Sequence, residues 1–426
     1  MTISVQIMVL PITVIEFGQL NLSFLFTFVL ATILVAPIIL LGFFNIFIPD
    51  PLSNFINLFL SILLFILNKS AEITARIPFL NTYVITPSYI LICTYYIFLF
   101  VSNYLYSISH IEKTKLSSFQ KKVLKQKNSF KRKICKIDKK KIIIITLLFC
   151  ISLQFGKIIP KDLRIFFVDV GQGDCTLILT PGNKSILIDG GGTRNSEEYD
   201  IGEQVLLPYL LNRKVKEIDY MFISHFDADH CNGLIAILEN LKVDTLLIGE
   251  QAQESEEYYK IMEVTKNNNV DVKKVKEGDK ILIEKDCIFH ILYPERNLPF
   301  NDLNNNSIVI KLIYRNFSML FTGDIGEKAE KKILEKNIDV RANILKVSHH
   351  GAATSSTEEF IKKVNPIVAI IGVGEKNTFG HPNEKVLERF RKNGISVYRT
   401  DLHGEIEIRI KTNGKVEIKT KIRMEK

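Results

Sequence analysis

IDYMFISHFDADHCNGL, residues 218–234, is the stretch that decides what kind of domain this chain carries. Ile218–Ser224 reads as a buried strand, a short apolar run rich in strand formers. The chain then turns polar at once. His225, Asp227, Asp229 and His230 fall within six residues, and CNGLIAILENL (231–241) follows as a helix. A common dinuclear-metal signature has the form His-x-His-x-Asp-His, and here Asp227 stands where its second histidine would be. Three readings are open: a metal site with a changed ligand, a decayed site, or a merely polar loop.

The surrounding pattern favours metal. LRIFFVDV (163–170), CTLILT (175–180) and SILIDGGG (185–192) read as strands, as do VDTLLIG (243–249), SIVIKLIYR, SMLFTGD, ANILKVSHHG and PIVAIIG further on. Helices are expected from Ile201, over 326–336 and in HPNEKVLERFRKNG; SVYRT, EIEIRI and KVEIKTKI close the chain as strands. Buried runs therefore end in HFDADH, in Thr322-Gly323-Asp324 and in Ser348-His349-His350-Gly351. Ligands at strand ends converge when the strands share a sheet. A lone histidine is more often structural, but four of the chain's eight histidines sit in two such clusters. Imidazole nitrogen with carboxylate oxygen suits Zn²⁺ or Mn²⁺, and added oxygen favours the harder ion. Two such ions supply hydroxide near neutral pH and stabilise attacking and leaving oxygens alike. Asp229 and Asp324 are the candidate catalytic residues.

SHFDADH, TGD and VSHHG, in that order, resemble the metallo-β-lactamase fold. The whole of 163–410 is similar to the extracellular domain of the ComEC-type competence family, bacterial DNA-uptake channels. FFVDVGQGDCTLILTPGNKSILIDGGG, NNNSIVIKL, FGHPNEKVLERF and YRTDLHGEIEI carry the likeness. More weakly, 21–100 resembles the end of that family's membrane domain, most of all at IPFLNTYVITPS (77–88). The resemblance implies a membrane α-helical segment followed by an α/β metallo-β-lactamase-like four-layer αβ/βα sandwich. It implies two divalent metal ions, Zn or Mn. His225 and Asp227 would hold one, Asp229 and His230 the other; Asp324 would bridge, and His350 would complete the second site, with His349 its substitute. The usual third histidine of the first site has no match, and Asn304 or a neighbour lies where it belongs. Asp189 orients the loop or a ligand. His381 either contacts a phosphate or caps the next helix. Gly171-Gln172-Gly173-Asp174 reads as a tight turn beside the site, since it lacks the lysine and helix of a phosphate loop. Cys231 is expected to pack rather than ligate.

Charge and hydropathy divide the chain. Residues 1–110 hold two basic and three acidic side chains, and Asn21–Ile48 holds none. That run exceeds the roughly 20 residues needed to cross a bilayer. Pro37 is a point of kinking, Asp50-Pro51 is the expected end of the run, and Phe55–Asn68 and Thr82–Tyr106 are further apolar runs. Residues 111–141 carry 13 Lys or Arg against Glu112 and Asp138, while 161–426 carries 39 basic against 41 acidic residues. The chain's net charge of +9 thus belongs to one segment, best read as a cytoplasmic loop facing anionic lipid. It excludes a general nucleic-acid-binding surface on the C-terminal domain. Ile142–Gly156 is a short fourth run, and if it spans the membrane the remainder lies outside. Six cysteines without a C-x-x-C pair give no disulfide framework.

The expected divisions are a partial competence-type transmembrane helical region (1–110), a basic loop (111–141), a transmembrane helix with linker (142–160) and the metallo-β-lactamase-like domain (161–426). The expected function is that of a multi-pass cell-membrane DNA-uptake protein whose extracellular domain hydrolyses phosphodiesters of incoming DNA. The alternatives are a non-catalytic DNA-binding scaffold, or a tethered metallohydrolase of another phosphate ester. The partners expected are single- or double-stranded DNA, membrane lipid, other competence proteins and a separate chain supplying missing channel helices.

Overall fold

The computed structural model describes residues 2–75, 77, 80–113, 162–193, 199–250, 255–298 and 301–422. The expected span at 142–160 and nearly all of the basic loop, from residue 114 on, lie outside the described residues. The chain divides into two compact units, 1–158 and 159–426.

The first unit is helical. Its elements are α1 (Thr2–Phe17), β1 (Gln19–Asn21), α2 (Phe24–Asn45), α3 (Asp50–Ala75), β2 (Asn81–Tyr83) and α4 (Tyr89–Lys113). Strands β1 and β2 pair antiparallel. Pro37 lies inside an uninterrupted α2. Asp50-Pro51 opens α3 rather than only ending the previous run, because both residues are favourable in a first helical turn. The third apolar run begins in a strand, not a helix. Among the described residues α2 and α3 are long and apolar enough to cross a membrane. Phe26, Ile33, Ile39, Phe55 and Phe65 stand out from them more than half exposed. Water would oppose such a surface, and lipid suits it.

The second unit is two sheets packed face to face between helices. One has the strand order β17-β16-β3-β4-β5-β6-β7-β8 and the other β15-β14-β13-β12-β11-β10-β9. In the first sheet β3 is Leu163–Phe167, β4 Thr176–Leu179, β5 Ser185–Ile188, β6 Glu217–Ile223, β7 Lys242–Ile248 and β8 Asp271–Lys274, with β16 (Ile406–Ile410) and β17 (Val416–Thr420) added at its edge. In the second, β9 is Lys280–Glu284, β10 Cys287–Tyr293, β11 Val309–Tyr314, β12 Phe317–Phe321, β13 Ile344–Lys346, β14 Val368–Ile371 and β15 Ser396–Arg399.

Period-two alternation builds the layers. Ile165, Phe167, Ile178, Ile186 and Phe222 face Phe289, Ile310, Leu312, Met319 and Phe321 in the core between the sheets. Phe222 and Phe289 stack across it with ring centres 5.4 Å apart. Each such buried side chain contributes about 1.5–3 kcal/mol. The alternate residues of the second sheet, Leu320, Leu345, Ala369 and Ile371, pack on the outer helices through Ile333, Phe360, Val386 and Phe390. Phe166, Leu177, Leu187 and Met221 are likewise buried on the far face of the first sheet. This is the αβ/βα sandwich expected.

The pairing fixes where the site lies. Strands β5 and β6 run parallel, and so do β12, β13 and β14. The loops after β5, β6, β12 and β13 carry Asp189, His225–His230, Asp324 and His349–His350 at their strands' carboxyl ends. The segment between β7 and β11 holds a helix (Glu256–Asn267) and three strands, β8 to β10, that the sequence reading did not assign.

Candidate metal centre

The loop after β6 is shaped by a four-residue helix, Ala228–Cys231, that begins inside HFDADH. Asp227 stands at its N-cap position, yet its side chain caps nothing there. It turns instead to His225, with Oδ2 3.6 Å from the imidazole Nε2. Asp229 and His230 then fall within the helical turn. Cys231 is the turn's last residue, fully buried, and burial pushes its thiol well above the ordinary range.

Three histidines present their Nε2 atoms for ligation. The Nδ1 of His230 lies 3.0 Å from Asp189 Oδ2, so Asp189 fixes this ring. Asp189 itself accepts the Ser224 amide and hydroxyl, each at 2.8 Å. The Nδ1 of His350 meets the Gly372 carbonyl at 2.8 Å, and that of His225 meets the Ser224 hydroxyl at 3.0 Å. The Nε2 atoms of His225, His230 and His350 are all buried without a hydrogen-bond partner, as is Asp324 Oδ1. Orphaned buried polar atoms are costly unless something satisfies them. Asp324 lies 3.3 Å from His230 Nε2 through one oxygen and 3.4 Å from His350 Nε2 through the other. Asp229 is 3.3 Å from His350 Nε2. Divalent cations fit this donor set.

The electrostatics agree. Burial disfavours the Asp229 and Asp324 carboxylates, yet the adjacent imidazoles hold both well below the usual range. Burial likewise disfavours imidazolium, but Asp324, with Asp189 or Asp174, holds His230 and His350 above theirs.

His349 and His350 are not equivalent. Both adopt left-handed backbone, with φ of 50° and 51°, a strained pair that turns the two rings apart. His350 is buried in the cluster. His349 is 29% exposed, 3.8 Å from Asp324 and 3.5 Å from the Asn304 amide. His381 does not cap the following helix, because Asn383 does, accepting the Lys385 amide. The His381 ring packs 5.7 Å from that of His349, and burial lowers its pKa.

Two residues escaped the sequence reading. Asp174, at the end of the GQGD turn, joins His230, Asp324 and His350 in one buried cluster whose ligand atoms lie within 4.8 Å of one another. Gly173 makes this possible: its φ is +124°, and a Cβ there would lie 2.1 Å from the Asp229 carbonyl oxygen. Lys346, buried at the end of β13, pairs with the Asp174 carboxylate. The available signals were an acid ending a turn that faces the strand ends, and one lysine inside the apolar run ANILKVSHHG.

A cavity of about 520 Å³ opens over the cluster. Asp227, Asp229 and Asp324 line it with Asn304, His349, His350, His381, Gln172, Thr193 and Phe379. Among the described residues no lysine or arginine does.

Two sheets carrying this cluster at their shared rim define the class. Residues 168–374 match the Metallo-beta-lactamase superfamily, and the C-terminal unit has the metallo-β-lactamase fold. Within the class, the chain is homologous to competence proteins. It is 33% identical over 258 residues to ComE operon protein 3 of Bacillus subtilis, covering 58% of this chain and 33% of that one. Competence protein ComA of Neisseria gonorrhoeae is 28% identical over 252 residues, 58% of this chain and 32% of its own. Recombination protein 2 of Haemophilus influenzae is 29% identical over 265 residues, with shares of 62% and 31%. The match spans about a third of the length of these relatives.

Proposed function

We propose that the chain is a membrane-bound DNA-uptake protein whose metallo-β-lactamase domain hydrolyses phosphodiesters of incoming DNA at a two-metal site. One observation carries the reading. The cavity is lined by three carboxylates and by histidines, with no lysine or arginine among the described residues, and His350 Nε2 and Asp324 Oδ1 among its lining residues are buried without a hydrogen-bond partner. Such a pocket repels a phosphate until cations fill it. In this reading His225 and Asp227 would hold one Zn²⁺ or Mn²⁺ ion and Asp229, His230 and His350 the other, and Asp324 would be shared between the two positions. Asn304 and His349 stand beside the first position, where an amide is the weaker ligand. Ions so held supply Lewis-acid charge and lower the pKa of nearby water.

The chain's own residues do the rest. Asp189 keeps Nδ1 of His230 engaged, so its Nε2 lone pair faces the site. The Gly372 carbonyl does the same for His350. Asp229, 31% exposed on its side chain, is the carboxylate placed to accept a hydrogen bond from the attacking water. The competence relatives support DNA as the substrate. The full chain in detergent is expected to cleave linear DNA with Mn²⁺ or Zn²⁺ and to lose this activity on chelation. Asp229→Ala and His230→Ala are each expected to abolish it; cleavage surviving both changes would sink the two-metal mechanism. Competition by a small phosphodiester that far outstrips DNA would point to a different phosphate ester.

The topology proposed with it is multi-pass, with the basic segment cytoplasmic and the hydrolase domain outside the cytoplasmic membrane. Asymmetry of lysine and arginine across the apolar runs motivates this. A reporter active only in the cytoplasm, fused after Lys426, is expected to stay silent. An active fusion overturns the placement.

A further inference from the structure

Phe379 is out of place for a packed aromatic. It is 66% exposed, yet it lines the same cavity as Asp229 and Asp324. Its ring lies parallel to that of His381, with centres 6.0 Å apart and planes 16° apart. The segment that carries it is pinned rather than loose. The Asn377 side chain donates to the Gly374 and His381 carbonyls at 2.9 and 2.8 Å and accepts the His381 amide at 3.1 Å. The Gly374 amide in turn donates to the side chain of Gln172, which also lines the cavity, at 3.3 Å. A single exposed phenylalanine is ordinary on a protein surface. One backed by a second ring, on a pinned loop at the mouth of a catalytic cavity, offers a flat face held ready for a ligand.

We propose that Phe379, backed by His381, is a stacking platform for the nucleobase beside the phosphate being cleaved, and that it makes unpaired DNA the preferred substrate. The inference rests on the phosphodiester reading of the metal centre. It adds how a strand is registered there. Stacking needs an exposed base face, which a paired duplex hides inside its stack, and it tolerates any base.

The test uses the full chain in detergent with Mn²⁺. Affinity is read by anisotropy with phosphorothioate-linked single-stranded oligonucleotides, one with normal bases and one abasic throughout. Phe379→Ala is expected to weaken binding of the normal strand by roughly 5- to 100-fold, the range that aromatic–base stacking supplies. It should leave the abasic strand unchanged, and Phe379→Trp should restore affinity for the normal strand. Equal losses on both strands, no loss on either, or no binding of single strands by the wild type would each overturn the platform. Cleavage is followed separately with a small phosphodiester. Failure of the wild type to cleave it under any divalent ion refutes the hydrolase reading, while the ratio of strand affinities still decides the role of Phe379.

Discussion

In the proposed two-metal site, Asp324→Asn is expected to lower phosphodiester cleavage by roughly 10³-fold and to reduce bound metal from two ions per chain to one or fewer. The side chain is 3% exposed and lies within 3.3–3.8 Å of the Nε2 atoms of His230, His350 and His349. No other carboxylate among the described residues reaches all three. An amide fills nearly the same volume, so packing barely changes. What is lost is the negative charge that the low-dielectric pocket was built around. Removing one preorganised electrostatic group from a catalytic site costs about 10²–10³ in rate, and the thousandfold stated is about 4 kcal/mol of transition-state stabilisation. Elemental analysis of dialysed protein alongside rates checks both halves. An unchanged rate with full metal content would move the bridging role to another residue.

The sandwich and its rim were legible because strand ends are marked twice. Buried strands such as IDYMFIS and ANILKVS announce themselves by apolar runs, and the polar residues after them have no packing reason to cluster. That sufficed to bring His225, Asp229, His230, Asp324 and His350 to one place. Order within the cluster was not legible. Whether His349 or His350 points inward depends on two consecutive left-handed residues, a conformation that no pattern in SHHG encodes. Asp189 as the partner of His230 was equally hidden, since it requires knowing that β5 runs beside β6.

The stretch between β7 and β11 went unread for a different reason. Strand β8, Asp-Val-Lys-Lys, lies at a sheet edge with mostly exposed residues. Charged edge strands guard against further pairing and carry no apolar signal. Strands β9, with Ile281, Leu282 and Ile283 between Lys280 and Glu284, and β10, Cys287–Tyr293, do carry apolar runs, so there the signal was present and short rather than absent. The GQGD turn hid Asp174 because its glycines advertise a tight turn and nothing more. Only the approach of Gly173 to the Asp229 carbonyl explains why the acid that follows is delivered into the cluster.

Asp174 raises the question of how so many carboxylates share one buried site, and Lys346 answers it. The residue is 3% exposed, and its ammonium pairs with Asp174 and donates to the Val347 carbonyl at 2.8 Å. Asp174 Oδ1 is 3.7 Å from His350 Nδ1, on the side of the ring away from Asp324. Lys346 is therefore a fixed internal cation behind the site, and in the proposed two-metal reading it would leave Asp229 and Asp324 to the exchangeable ones. Lys346→Met keeps the apolar stem and strands the Asp174 charge. The full chain is expected to lose about 3–5 kcal/mol of stability, the cost of breaking a buried pair from one side. Asp174→Asn on the Lys346→Met background should recover most of that loss, because no buried charge then remains unpaired. The measurement is a double-mutant cycle by chemical denaturation, with a coupling at least as large as the recovered loss, about 3 kcal/mol or more, at or above the top of the range for residues in contact. A coupling near zero would mean that Asp174 is balanced by the His230 and His350 rings instead. Asp174 would then belong among the metal ligands, and its replacement alone should lower metal content. If Lys346 carries the charge, Asp174→Asn weakens the fold and leaves the metal in place.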